Sequence, residues 1–233
     1  MVYVTSDLHG YPLDQFFALL QSADFSADDY LFVLGDVVDR GKQSVELLRW
    51  MAEQPNVQLI RGNHEAMLLA CDYLFEPVTE ESLAALDNRK MQLLELWLSN
   101  GASPTLDGLK KLMNDEPEIL EGILDYLRDS PCYDTVEIGG RKYILVHAGL
   151  GNFSPEKQLS EYTLNEMVWV RPTLETEYFS DATVIFGHTP TMLFGLEHSG
   201  KAVKTKSWIC IDTGAAMGKK PMLLRLDDLK EFY

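Results

Sequence analysis

The chain contains five histidines, and four of them stand at or just beyond the ends of short apolar runs, among carboxylates and glycines. Ser6-Asp7-Leu8-His9-Gly10 follows the first run, Gly35-Asp36-Val37-Val38-Asp39-Arg40-Gly41 the second, and Arg61-Gly62-Asn63-His64-Glu65 the third. Val146-His147-Ala148-Gly149 and Phe186-Gly187-His188-Thr189-Pro190 repeat the arrangement further along. Taken singly, each is ordinary turn chemistry, because Asp and Asn satisfy nearby amides and Gly permits positive φ. Taken together they converge if the runs are strands ending at one sheet edge. Asp7, His9, Asp36, Asn63, His147 and His188 would then put three imidazoles, two carboxylates and an amide into one cleft. Carboxylates at such range repel one another, and a cation relieves them. Six N and O ligands exceed one tetrahedral zinc and suit two five- or six-coordinate divalent ions. The absence of a thiolate points to Mn²⁺, Fe or Zn²⁺. Asp36, in the motif between the other two early ones, is the best placed to bridge both ions.

The elements that must position these residues are legible from periodicity. Val2 to Thr5, Tyr30 to Leu34 and Val57 to Ile60 read as strands, with helices over Pro12 to Gln21 and Ser44 to Glu53. Right-handed crossovers in this βαβαβ pattern make one parallel sheet whose strand C-termini share an edge. From Glu65 to about Ser130 the pattern is helical, with helices expected over 66–74, 80–98, 104–113 and 117–128. Residues 66–131 hold 13 acidic and 5 basic side chains, a net of −8 that is half the chain's −16. A solvated acidic face accounts for this, and a lid that repels anions is the sharper alternative. Strand character returns in Asp134 to Ile138 and Lys142 to Val146 around a Gly139-Gly140 turn, then in Thr183 to Phe186, Ser207 to Ile211 and Met222 to Leu226, so a second sheet is expected. We read one domain over 1–233 with a helical insert at about 66–131.

Composition narrows the function classes. An apolar fraction of 46% with 24% charged residues is that of a packed globular fold. A net charge of −16 disfavours broad contact with a nucleic-acid backbone or an anionic membrane, so neither is expected as a partner. No apolar run approaches the ~20 residues of a spanning helix. No basic leader opens the sequence, whose first Lys or Arg is Arg40, so a cytoplasmic location is expected. Cys71, Cys132 and Cys210 are odd in number and lack a CxxC, which fits free thiols in a reducing compartment. His198 reads as solvent-facing, Asp212-Thr213-Gly214 as a turn, and the four tryptophans as core or pocket wall.

The ordered strings Asp-x-His, Gly-Asp-x-Val-Asp-Arg-Gly, Arg-Gly-Asn-His-Glu, His-Ala-Gly and Gly-His-Thr-Pro resemble the calcineurin-like metallophosphoesterases. Within them the chain is most similar to the phosphoprotein phosphatase branch and its short bacterial and phage serine/threonine phosphatases. The resemblance implies an αββα sandwich of two mixed sheets flanked by helices. It implies one metal held by Asp7, His9 and Asp36 and a second by Asp36, Asn63, His147 and His188. His64 is carried over as general acid, oriented by Asp39, and Arg40 as a phosphate clamp. The segment Met167-Val168-Trp169-Val170-Arg171 supplies Arg171 as the second clamp. Ser6 stands where the family commonly has Gly, and neither the insert nor Gly195 to Tyr233 follows the larger eukaryotic members. The implied reaction is phosphomonoester hydrolysis by hydroxide activated between two metals, with a phosphorylated protein as substrate. A dinucleoside polyphosphate or other small phosphoester is the alternative substrate, and a scaffold that has lost the reaction is a third reading. Related small-ester enzymes commonly carry Asp where this chain has Glu65, which favours the protein substrate.

Overall fold

The computed structural model describes residues 1–233. The first sheet contains β1 (Val2–Thr5), β2 (Tyr30–Val33) and β3 (Val57–Leu59), linked by α1 (Leu13–Ser22) and α2 (Ser44–Glu53) and followed by α3 (Asn63–Ala70). Helices α4 (Glu80–Ala84), α5 (Asn88–Ser99), α6 (Ser103–Asp115) and α7 (Pro117–Asp129) form the insert. The second sheet begins with β4 (Tyr133–Ile138) and β5 (Arg141–Val146), and α8 (Leu164–Val168) precedes β6 (Ala182–Phe186), β7 (Val203–Lys204) and β8 (Trp208–Cys210). The chain then returns to the first sheet as β9 (Leu223–Arg225) and β10 (Lys230–Phe232).

The strand orders are β10-β9-β1-β2-β3 and β4-β5-β6-β8-β7. β1, β2 and β3 run parallel, as do β5, β6 and β8, whereas β9, β10, β4 and β7 pair antiparallel with their neighbours. Both sheets are therefore mixed, and both align parallel strand ends at one edge.

Alternation along the strands makes the layers. Val4, Phe32 and Leu34 of the first sheet meet Tyr143, Leu145 and Ile185 of the second in an apolar inter-sheet core. Tyr3, Leu31 and Val33 face the other way, onto α1, α2 and the insert. Ile144, Val146, Val184 and Phe186 face the outer side of the second sheet. The result is the expected αββα sandwich.

One expectation changes. The helix expected over 80–98 is two helices, α4 and α5, because the Asp87 carboxylate accepts from the Lys90 amide at 2.8 Å and starts a new helix. The insert carries the expected solvated acidic face and is packed onto the body. Its buried stripe of Trp97, Leu106, Leu109, Leu120, Ile123 and Leu127 joins the same core as Leu47, Leu48 and Met51 of α2. Its charges occupy the opposite, exposed faces. Strand limits differ from expectation by a residue or so, and the two- and three-residue β7 and β10 had no readable alternation. Cys71 and Cys210 are buried, Cys132 is half-buried, and all three are free thiols. No helix is long and apolar enough to cross a membrane.

Candidate active site

The strand-end turns bend sharply. Asp7, His9, Asp36, Asp39, Arg40 and His188 all have φ between +44° and +73°, a left-handed region that costs a non-glycine residue about 1–3 kcal/mol. Six such residues around one cleft mean that the fold holds them against their own backbone preference. Close packing helps to hold them. A side chain at Gly62 would enter the space of the Asp36 carboxylate, and one at Gly187 would overlap Asp7 and Ser6. Glu65, fully buried, adds a polar clamp: its carboxylate accepts from the amides of Asp36 at 2.8 Å, Val37 at 2.8 Å and Gly62 at 2.9 Å. Glu65 therefore braces the second and third turns from behind and has no face toward a substrate.

The resulting cleft, of about 80 Å³, is lined by Asp7, His9, Asp36, Arg40, Asn63, His64, Arg171 and His188 among others. His147 and Asp39 lie beneath it, fully buried. All ten residues singled out in the sequence thus converge on one place.

Asp36 divides its two oxygens between two groups. Oδ2 lies 3.6 Å from His9 Nε2, and Oδ1 lies 3.4 Å from His147 Nε2, which in turn is 3.3 Å from His188 Nδ1. Ligand atoms of His9, Asp36 and His64 lie within 4.8 Å of one another, as do those of Asp36, His147 and His188. Asn63 Oδ1 is 2.9 Å from His147 Nε2. Asp7 lines the cleft outside both groups, with its oxygens 2.9 and 3.1 Å from the His188 amide.

The donor set fits divalent cations. The Nδ1–H groups of His9 and His147 face the carbonyls of Val38 at 2.9 Å and Leu34 at 2.7 Å, leaving both Nε2 lone pairs aimed at Asp36. Backbone carbonyls commonly fix the tautomer of a ligating imidazole in this way. Burial first, then the other positive groups, keeps these rings neutral: His147 falls to about 3 and His188 to about 2. His188 Nε2 is buried without any partner. Burial raises the Asp7 and Asp36 carboxyls well above their usual range, with Asp212 adding to the effect at Asp7 and Asp7 at Asp36. Neutral imidazole lone pairs thus face acid groups whose ionised form burial disfavours, and a divalent cation would both take the lone pairs and stabilise the carboxylates.

His64 differs from the other three. Its Nδ1 is 2.6 Å from Asp39 Oδ2 and its Nε2 is 3.1 Å from an Arg40 guanidinium nitrogen. Because a guanidinium only donates, Nε2 accepts from Arg40 here; with Nδ1 engaged by a carboxylate, Nε2 is the cleft-facing atom through which the ring would take up and release a proton. Asp39 is itself held from the insert: Trp97 Nε1–H donates to the same Oδ2 at 2.9 Å, and the Asp39 amide donates to Thr105 Oγ1 at 2.8 Å. The Arg40 amide donates to the Gly101 carbonyl at 2.9 Å. Arg171 reaches the opposite wall, where it donates to the His188 carbonyl at 3.0 Å.

Several lining residues escaped the sequence reading. Asp212 does make the expected turn, accepting from the Gly214 amide at 2.9 Å, but it also faces the cleft, and burial raises it to about 6. Its position after β8 was the available signal, since five other strand-end motifs already pointed to the same edge. Asn100 enters from the insert, and neither it nor Trp97 and Thr105 beneath carries a local signature. Trp169 is pocket wall, 39% exposed at the rim and edge-on to His188, whereas Trp97 and Trp208 are core. His198, expected to face solvent, is half-buried at the end of a short 3-10 helix, Leu196–His198, outside the cleft.

Residues 1–214 match the family model described as calcineurin-like phosphoesterase. Serine/threonine-protein phosphatase 2 of Salmonella typhimurium is 29% identical over 218 residues, covering 92% of this chain and 87% of that protein. A symmetrical bis(5'-nucleosyl)-tetraphosphatase of Chromobacterium violaceum is 27% identical over 197 residues, 82% of this chain, which spans only 57% of that relative. The asymmetrical bis(5'-nucleosyl)-tetraphosphatase PrpE of Bacillus subtilis is 23% identical, with 97% and 91% covered. Among solved structures, a candidate diadenosine tetraphosphatase aligns with a TM-score of 0.63 at 19% identity, covering 99% of this chain and 90% of that one. A protein serine/threonine phosphatase of Saccharomyces cerevisiae aligns at 0.51 and 16%, covering 91% and 66%. At these identities the structural matches speak to the fold alone.

Proposed function

Because this chain belongs to the calcineurin-like phosphoesterases, we propose that it hydrolyses phosphomonoesters and that its substrates are phosphorylated serine and threonine side chains of proteins. The observation that carries the choice is the acid assembly of His64, Asp39 and Trp97. A serine or threonine alkoxide is a poor leaving group and needs a positioned proton donor, which contributes about 10²- to 10⁴-fold in rate. A polyphosphate leaves readily and needs little such help.

In this reading Asp7, His9 and Asp36 hold one divalent ion and Asp36, Asn63, His147 and His188 the other, with Mn²⁺ the first metal to test. When bound, such a pair supplies an activated water and draws charge from the phosphoryl oxygens. The remaining work belongs to the chain. Arg40 and Arg171, on opposite walls, offer planar guanidinium donors to phosphoryl oxygens, with a bidentate geometry that lysine cannot reproduce. His64 delivers a proton from Nε2 to the departing oxygen. Asp39 holds Nδ1–H, keeping the ring oriented and stabilising its charged form.

The alternative substrate, a dinucleoside polyphosphate, is favoured by the activity for which the Chromobacterium and Bacillus relatives are named. Glu65 does not separate the two, because it touches backbone amides and no substrate position. Turnover of a phosphoserine peptide against diadenosine tetraphosphate, with the Mn²⁺-loaded protein, tests the choice. The proposal expects efficient phosphopeptide hydrolysis that falls steeply in His64→Asn, with p-nitrophenyl phosphate far less affected. Diadenosine tetraphosphate turnover without phosphopeptide turnover would refute it.

A further inference from the structure

A groove of about 400 Å³ opens beside the cleft and shares His9, Arg40 and Ala216 with it. One wall is the turn after the first strand, with Tyr11 and Gln15. The other is the loop 215–220, which ends in Lys219 and Lys220. No Asp or Glu is among its thirteen lining residues, in a chain that has 36 of them. Lys219 and Lys220 are exposed, and neither makes an ion pair within 4.0 Å. The loop that presents them is anchored: Thr213 Oγ1 donates to the Lys220 carbonyl at 2.7 Å and the Lys219 amide donates to the Gly214 carbonyl at 3.1 Å. Both lysines are thus carried on a closed loop that grows directly from Asp212 in the cleft wall.

From this geometry we infer that the groove is a subsite for an anionic group that the substrate carries beside the phosphoryl group to be cleaved. The inference rests on the phosphoesterase reading above and deepens it. A body of charge −16 repels acidic substrates at long range. A local strip of Arg40, Lys219 and Lys220, free of carboxylates, is where a flanking anion gains instead. In a phosphoprotein that anion is an acidic side chain next to the phosphoserine; in a polyphosphate ester it is a further phosphate. Both present oxygen anions to the same ammonium groups.

The test is Lys219→Glu/Lys220→Glu in the full-length, Mn²⁺-loaded protein. Two phosphoserine peptides are compared, one flanked by Glu and one by Gln at the same positions, with p-nitrophenyl phosphate as a substrate too small to reach the groove. Wild type should prefer the Glu peptide, and the variant should lose about five- to tenfold in kcat/KM on it, as expected for two solvent-exposed ion pairs. The Gln peptide and p-nitrophenyl phosphate should change less than about twofold. The preference should also shrink as salt is raised from ~0.05 M to ~0.3 M. A Glu preference that survives in the variant, or none in wild type, overturns the subsite for peptides. If no phosphopeptide is turned over, the protein-substrate reading fails separately. The groove is then read from inhibition of p-nitrophenyl phosphate hydrolysis by tripolyphosphate relative to orthophosphate. Selective tripolyphosphate inhibition that the variant loses supports the subsite with phosphate as the anion, and equal inhibition of both proteins refutes it.

Discussion

Trp97→Phe isolates one hydrogen bond in the acid assembly. The indole N–H donates to Asp39 Oδ2 at 2.9 Å, and that same oxygen lies 2.6 Å from His64 Nδ1. The other oxygen, Oδ1, is buried without a partner, so once the indole is lost only His64 Nδ1–H, the group Asp39 is meant to orient, still holds the carboxylate. A buried hydrogen bond to a charged group is worth about 1.5–3 kcal/mol. If that stabilisation is felt fully where the leaving oxygen takes its proton, the rate falls by about 10- to 100-fold. The assay is a series of alkyl and aryl phosphates of increasing leaving-group pKa, with a phosphoserine peptide at the poor-leaving end. The variant should lose most on the alkyl esters and the peptide and little on p-nitrophenyl phosphate, so its rates should depend more steeply on leaving-group pKa. Phe is also smaller than Trp at a fully buried position, and some loss of melting temperature is expected from the cavity. That loss would lower all substrates alike. An equal fall across the series would therefore refute the positioning role, as would no fall anywhere.

Asp36→Asn should lower bound metal from two ions per chain to less than one by elemental analysis after dialysis, because its two oxygens face both groups; retention of two ions with full activity would break the bridging assignment. Glu65→Gln places an amide N–H against backbone donors now served by a carboxylate and should cost about 2–4 kcal/mol in urea denaturation, whereas a cost below about 0.5 would show that the clamp is dispensable. Leu109→Ala, in the insert, should destabilise the protein by about 2–5 kcal/mol within one cooperative transition, since Leu109 belongs to the core of the first sheet. A separate early transition for the insert would contradict that packing.

The strand-end motifs were readable before any coordinates because each is local. A short apolar run with period-2 alternation, then a polar turn rich in Gly, Asp and His, is a signal contained in about ten residues. Parallel crossovers then oblige consecutive strand ends to share an edge, which is why Asp7, Asp36 and Asn63 could be grouped from sequence. His147 and His188 followed because they repeat the same pattern in the second half. Glu65 is legible as part of a motif, but its work is not: only the folded structure turns its carboxylate toward the backbone and away from the cleft. The acidic insert is legible in its solvated face and not in its packing. Net charge reports exposed faces, while the buried stripe that carries Trp97 and Leu109 into the main core contributes nothing to it.

By itself, then, the sequence determined eight of the ten strands, the edge at which the parallel ones end and the ten polar side chains argued to act there, because strand pairing, turn geometry and ligand chemistry are properties of short segments. Tertiary structure alone decided which distant groups support them. Trp97 is 58 residues from the Asp39 it holds and Thr105 is 66 residues away; Lys219 and Lys220 meet the turn after the first strand only because β9 returns to pair with β1. Such contacts have no period or motif to announce them, since they exist only once buried apolar surface has closed the chain upon itself.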